Sequence, residues 1–226
     1  KSLNICKNLK KKYKNIILIN NKKNLGPGKS RNIGLNKAKG KYIIFLDSDD
    51  YLNKNSLKNL RKKILKNKFP EVILNNVYRE DRDKDNSTFL RYLKNKLYKQ
   101  QDFVKILQKK NIIINECWNL IVKNENPLKK VRFLNTRIAE DNWYVINIIN
   151  KMRNILVDKS NIFLNHSSNI SSQKHLVGLA SIIAYMTLST KYREAQDNLD
   201  NYSIFKKYIN YRLKVNNKYL KTYLYL

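Results

Sequence analysis

Residues 24–52, NLGPGKSRNIGLNKAKGKYIIFLDSDDYL, constrain the fold of this chain more than any other stretch. Gly26, Pro27 and Gly28 predict a turn. Ile33, Leu35 and Ala38 then recur on one side of a short helix that Gly40 ends. Residues 42–46 are a continuous apolar run, the pattern of a strand buried on both faces. Asp47, Ser48, Asp49 and Asp50 fall where that strand ends. In an open α/β sheet the carboxyl ends of the strands are where ligands bind. Hard carboxylate oxygens at that position suit Mg²⁺ or Mn²⁺ together with a diphosphate.

This ordered run resembles the family-2 glycosyltransferases of bacterial surface-polysaccharide and lipooligosaccharide synthesis, which have the GT-A fold. The residues that carry the resemblance are Asn24, Gly26, Ser30, Arg31, Asn32 and Gly34 of the helix motif, then Asp47, Asp49 and Asp50 of an Asp-x-Asp-Asp strand end. A lone Asp-x-Asp is a weak signal, whereas the whole series in order is a specific one. For Asp50 taken alone, helix or turn capping is an equal reading. The resemblance covers residues 1–170 and is looser beyond residue 52. It also implies that the family's opening strand–helix–strand, roughly 40 residues by usual βαβ lengths, is absent from the front of this chain. The expected class is therefore α/β: a GT-A-like sheet flanked by helices over residues 1–170, with a helical region at 171–226.

At 226 residues the chain can bury one sizeable core. Its 47 Lys and Arg against 17 Asp and Glu give a net charge of +30, which raises nucleic-acid binding as a function class. The lysines are scattered rather than gathered into a stripe, and no nucleic-acid motif accompanies them, so that class is set aside. Lys, Asn, Ile and Tyr are abundant together, the signature of AT-rich coding. Attraction to anionic lipid surfaces is the remaining functional reading of the charge. Cys6 and Cys117 match no metal or redox spacing, which favours a reduced, cytoplasmic setting, peripheral to the inner face of the membrane if the charge acts there. Residues 175–190 are uncharged but too short and polar for a membrane span, and a buried helix is expected.

Elsewhere the periodicity predicts a basic helix at 2–13, a short strand at 16–19, a helix from Asn55 or Ser56 to 66, and a strand at 72–77. Residues 79–87 read as a loop. A helix follows at 101–110 with Phe103, Val104, Ile106 and Leu107 inward. Trp118 suits either an acceptor pocket, where aromatic faces stack on sugars, or the core; Trp143 is read as core. Residues 138–149 form an amphipathic helix opened by Glu140 and Asp141, acids that a helix N-terminus favours. Residues 155–158 and 161–164 read as two strands, followed by a Ser-rich segment containing His166. In residues 205–214 an apolar face flanked by lysines suits packing on the domain or lying on a membrane.

The resemblance assigns roles to these residues. Asp49 holds a divalent metal, Mn²⁺ or Mg²⁺, and Asp47 shares it or holds the ribose. Asn24 and Gly26 shape the nucleotide loop, Arg31 adds positive charge near the nucleotide, and His166 contacts a phosphate. Asp141, 92 residues beyond Asp49, matches the family's catalytic base, with Glu140 and Trp118 on the acceptor side. The implied reaction is inverting transfer of a sugar from a nucleotide diphosphate, such as a UDP-sugar, to a glycan or glycolipid. The alternative is a non-catalytic relative that keeps the fold for binding or assembly.

Overall fold

A computed structural model describes residues 2–48, 50–79, 90–110, 112, 114, 116–135 and 140–165. Among these residues six strands make one sheet: β1 (Tyr42–Ile44), β2 (Asp50–Leu52), β3 (Val72–Arg79), β4 (Leu97–Lys99), β5 (Leu120–Lys123) and β6 (Asn154–Asn165). Their order is β1-β5-β3-β6-β2, with β4 also on β6. β3 and β6 are parallel, and the other pairings are antiparallel. The helices are α1 (Ser2–Lys12), α2 (Pro27–Lys37), α3 (Ser56–Lys66), α4 (Gln100–Lys110) and α5 (Glu140–Lys151).

Strand alternation divides the core between the two faces of the sheet. Val72, Leu74, Leu120, Val122, Ile155 and Val157 turn one way, into a cluster with Phe103, Val104 and Leu107 of α4 and Tyr144, Val145 and Ile148 of α5. Ile73, Ile121 and Leu156 turn the other way, against Leu60 and Ile64 of α3. The result is helix on sheet on helix, the layering expected of an α/β chain.

The pairings also fix strand direction. β1 and β3 each run antiparallel to β5, and β6 runs with β3, so β1, β3 and β6 share one sense. Asp47, three residues beyond β1, therefore lies past the carboxyl edge of the sheet. The 3₁₀ turn Cys117–Asn119 feeds the start of β5, which is antiparallel, and so reaches the same edge.

Several expectations change. The helix of the motif begins at Pro27 rather than after a Gly-Pro-Gly turn. Gly26 is its N-cap at φ 77°, ψ 166°, a conformation that side chains disfavour. Pro27 fits the first helical position because its fixed φ is helical and it has no N–H to leave unpaired. Residues 16–19 form no ladder among the described residues, and Ile17 is 57% exposed. α1 forms as expected, but Leu3, Ile5 and Leu9 stay in solvent. Strand β1 stops at Ile44 and is half-buried rather than covered on both faces, because among the described residues it has β5 as its single neighbour at the sheet edge. The two strands expected at 155–164 are one strand. Its pairing with β3 continues past Asp158 through register shifts at Asn75 and Asn76, so the charged interruption is a bulge rather than a turn. Asn55 precedes α3 as expected, yet its side chain makes no cap hydrogen bond.

Gly28 marks a close approach between layers. A Cβ there would stand 2.4 Å from the Leu134 carbonyl oxygen and 3.1 Å from Glu140 Cβ. Because the nearest obstacle is backbone, it cannot swing aside as a long side chain can. Gly28→Ala is expected to cost about 2 kcal/mol, lowering Tm by roughly 4–8 °C for a chain of this size. Thermal denaturation of the two proteins checks it, and an unchanged Tm would show that α2 does not sit this tightly on the start of α5.

Candidate active site

Arg31 is the residue around which the site is built. It lies one turn into α2, facing the carboxyl edge of the sheet. Its Nη2 donates to Asp47 Oδ1 at 3.0 Å, and its Nη1 donates to Glu140 Oε1 at 3.0 Å and to Asp141 Oδ1 at 2.5 Å. One guanidinium thus joins the acidic strand end to the acidic start of α5, residues 109 and 110 positions away in sequence. The fork geometry of arginine is what allows one side chain to serve three carboxylates.

An aromatic group supports this cation. Phe133 stacks on Tyr144 with centroids 4.2 Å apart, and Phe45 meets both rings edge-on at 5.1 and 5.3 Å. The Arg31 Cζ stands 5.4 Å from the Phe133 ring centroid. Asn32 fixes the height of that ring: its Nδ2 donates to the Phe133 carbonyl and its Oδ1 accepts the Phe133 N–H, both at 2.9 Å. Asn32 therefore acts as a two-bond clamp between α2 and the strand-like segment before α5. Upstream, Asn24 Oδ1 accepts the Gly26 N–H at 2.9 Å and Ser30 Oγ donates to the Gly26 carbonyl at 2.8 Å. Asn24 and Gly26 shape the loop that starts α2.

The electrostatics are those of a half-buried acidic cluster around one cation. Side-chain exposures are 18% for Arg31, 10% for Glu140, 23% for Asp141 and 38% for Asp47. Burial pushes the Asp141 carboxyl above its usual range, while Arg31 and the hydrogen bonds from the Cys117 thiol and backbone pull it back. Glu140 is raised by burial and then by the charge of Asp141. For Arg31, burial works against the charge, but Asp141 and Asp47 more than reverse it and the guanidinium stays protonated. The Cys117 thiol is pushed far up, first by burial and then by Asp141, so it remains a neutral donor.

Cys117, Gly28, Phe133 and Tyr144 are site residues that sequence reasoning missed. Cys117 showed no metal or redox spacing, and its one local sign was its place just ahead of Trp118. Trp118 itself is half-buried and packs on the α3 side of the sheet, against the cluster of Leu60, Ile64, Ile73, Ile121 and Leu156. The structure does not bring it to Arg31. Asp50 enters β2 opposite Asn165, and its N–H bonds the Asp47 carbonyl at 3.1 Å. Asp49, His166 and the region 171–226 lie outside the described residues.

For a metal, the donor chemistry fits a hard divalent ion: Asp47 is a carboxylate more than a third exposed, on the segment that leads to Asp49. Among the described residues, no group of three or more His, Cys, Asp or Glu side chains is arranged to hold a metal ion.

The family model for Glycosyl transferase family 2 matches residues 1–124. An uncharacterized glycosyltransferase of Methanocaldococcus jannaschii is 28% identical over 217 residues, covering 91% of this chain and 69% of its own length. The minor teichoic acid biosynthesis protein GgaB of Bacillus subtilis is 31% identical over 156 residues, covering 68% of this chain and 17% of its own. Among solved structures, TarS of S. aureus, residues 1–349 in complex with UDP-GlcNAc, superposes with a TM-score of 0.66 at 19% identity. That match covers 94% of this chain and 60% of the TarS chain, and it shows the shared fold. This chain thus spans about a sixth of GgaB and 60% of that TarS fragment.

Proposed function

Since the chain belongs to glycosyl transferase family 2, we propose that it transfers a sugar from a nucleotide diphosphate to a glycan or glycolipid hydroxyl, with inversion at the anomeric carbon. The observation that carries this reading is the Arg31 bridge, which joins Asp47 to the Glu140–Asp141 pair at the carboxyl edge of the sheet. A UDP-sugar is the proposed donor, in keeping with the UDP-GlcNAc bound to TarS. The acceptor is proposed to be a surface polysaccharide, as the name of GgaB supports. Residues 1–170 are proposed as the transferase domain and 171–226 as a helical appendage. Among the described residues no helix is long and apolar enough to cross a membrane. Peripheral contact with anionic lipid is proposed from the charge of +30.

Asp141 is the proposed base. Its raised pKa brings it toward the working pH of a general base, and its partial exposure leaves it open to a substrate hydroxyl. The acceptor O–H gives its proton to the Asp141 carboxylate as the oxygen attacks the anomeric carbon. The bond from that carbon to the diphosphate breaks, and the electron pair leaves with the diphosphate. Arg31 holds Asp141 in place and supplies positive charge beside the leaving group. Glu140 and Trp118 are proposed on the acceptor side, Asn24, Gly26 and His166 on the donor side. Asp47 and Asp49 would hold a divalent ion, which when bound neutralises the departing diphosphate.

Calorimetry with UDP tests the donor half. Binding is expected to weaken by about tenfold or more when EDTA replaces Mn²⁺, the usual size of a charge-assisted contact. Asp49→Asn is expected to make binding indifferent to Mn²⁺. Tight UDP binding that ignores both Mn²⁺ and the substitution would remove the metal from this scheme.

A further inference from the structure

We propose that a cavity at the start of α3, which shares no residue with the Arg31 cluster, is a binding site for a phosphate group. The cavity has a volume of about 410 Å³, within the usual range for ligand pockets, and is lined by Asn53, Lys54, Ser56, Asn59, Lys62 and Lys63, with Ser160 of β6 closing one side.

The first observation is a buried hydroxyl without a partner. Ser56 is 6% exposed, and its Oγ has no hydrogen bond among the described residues. A hydroxyl held away from water and from any acceptor is destabilising, and such groups are rare enough to need a reason. An acceptor oxygen entering the cavity that Ser56 lines supplies one.

The second observation is charge. Lys63 is already satisfied: its Nζ bonds Asp158 Oδ1 at 2.5 Å and Ser160 Oγ at 2.6 Å. Asp158 is almost fully buried and is occupied by Lys63 and by the Ser160 N–H and Oγ. Lys54 and Lys62 are exposed and form no ion pair among the described residues. Two uncompensated ammonium groups therefore flank the cavity, one on each side of Ser56 in sequence.

The third is the helix end itself. Asn55, the N-cap of α3, sits in the left-handed region at φ 65° and makes no side-chain cap bond, and the first turn carries no acid. Neither the Asn55 side chain nor an acid of the first turn meets the positive end of the helix dipole. A neutral sugar hydroxyl would satisfy Ser56 but would leave both lysines and the helix end unmatched. A phosphate answers all three.

The test uses the full chain, titrated with inorganic phosphate and, separately, with glycerophosphoglycerol, at ionic strength held constant with NaCl. Saturable binding of at least one probe is expected, weakened by about tenfold or more in a Lys54→Glu, Lys62→Glu double variant, the scale of hydrogen bonds to charged groups. Both lysines are exposed, so folding survives the change. Ser56→Ala is expected to weaken binding while leaving Tm equal to the parent's or above it, since an unsatisfied buried hydroxyl is removed. Preference for inorganic phosphate identifies a free or terminal phosphate as the ligand; equal or tighter binding of the diester identifies a bridging phosphate of a polymer or lipid. UDP binding is expected to be unchanged in these variants, so this site and the donor site can fail separately. No saturable binding of either probe, binding that both variants leave intact, or phosphate that UDP displaces competitively would overturn the assignment.

Discussion

Asp141→Asn is expected to keep UDP binding and to slow sugar transfer by about 10²- to 10⁴-fold, the usual contribution of a positioned base. The substitution removes the basic oxygen but keeps the side chain's shape and an acceptor for Arg31, so the α2–α5 junction remains closed. The pH profile makes the test specific. Burial raises the Asp141 carboxyl, so the acid limb of the rate should lie above the range of an exposed aspartate, with activity rising as the pH passes through that raised value. In the Asn variant this limb should vanish along with the rate. A variant that turns over like the parent, or that keeps the same acid limb, would reduce Asp141 to a residue that merely opens α5.

Arg31→Met is expected to remove activity and to destabilise the fold as well. Three carboxylates would then face one another, two of them largely buried, with no cation between them. Breaking a buried ion pair on one side costs about 3–5 kcal/mol; the lower end applies here because Asp47 and Asp141 keep contact with water. A fall in Tm of roughly 6–12 °C follows for a chain of this size. The deficit should depend on pH in a definite sense. Glu140 and Asp141 already titrate above their unfolded values, so the folded state holds more protons than the unfolded one in that window, and stability falls as pH rises through it. Without Arg31 both values rise further and the window widens. The loss is therefore expected to be largest near neutrality and to shrink as pH falls below the ordinary carboxylate range. Arg31→Lys should recover only part of it, since one ammonium cannot reach three carboxylates at once. Urea unfolding of parent and variants at acid and neutral pH measures this, and parallel curves would contradict the clustered arrangement.

What the sequence made legible was local. The helix of residues 27–37, the acidic strand end and the acidic start of α5 all follow from caps, apolar spacing and charge placement within a few residues. Their order matched a known family, and the α/β layering with it. The bridge among them was not legible. Arg31 reads in sequence as a positive charge near the nucleotide, and only the sheet, by running β1 and β6 in one direction, brings residue 141 to it. Ile16–Ile19 failed for the converse reason: an apolar run has strand character, but a ladder needs a neighbour that the run itself does not encode. The extra residues of β6 opposite Asn75–Val77, Lys159 and Ser160 and then Ile162, hid the continuity of that strand, because such an irregularity looks in sequence like the end of a strand. Trp118 was readable as an aromatic with two possible uses, and the structure packs it, partly buried, on the α3 side of the sheet.

Helix α2 presents Gly28, Arg31, Asn32 and Leu35 along one side, each committed to a different neighbour: the Leu134 carbonyl, three carboxylates, the Phe133 backbone and the core. A consequence concerns insertions and deletions rather than substitutions. Each helical residue turns the chain by about 100°. One residue gained or lost between Gly28 and Leu35 would swing every later contact off its partner at once, where a point change disturbs one. Chain-length variation in a population of such sequences is therefore expected to spare this eight-residue interval and to collect in the loop before Asn24.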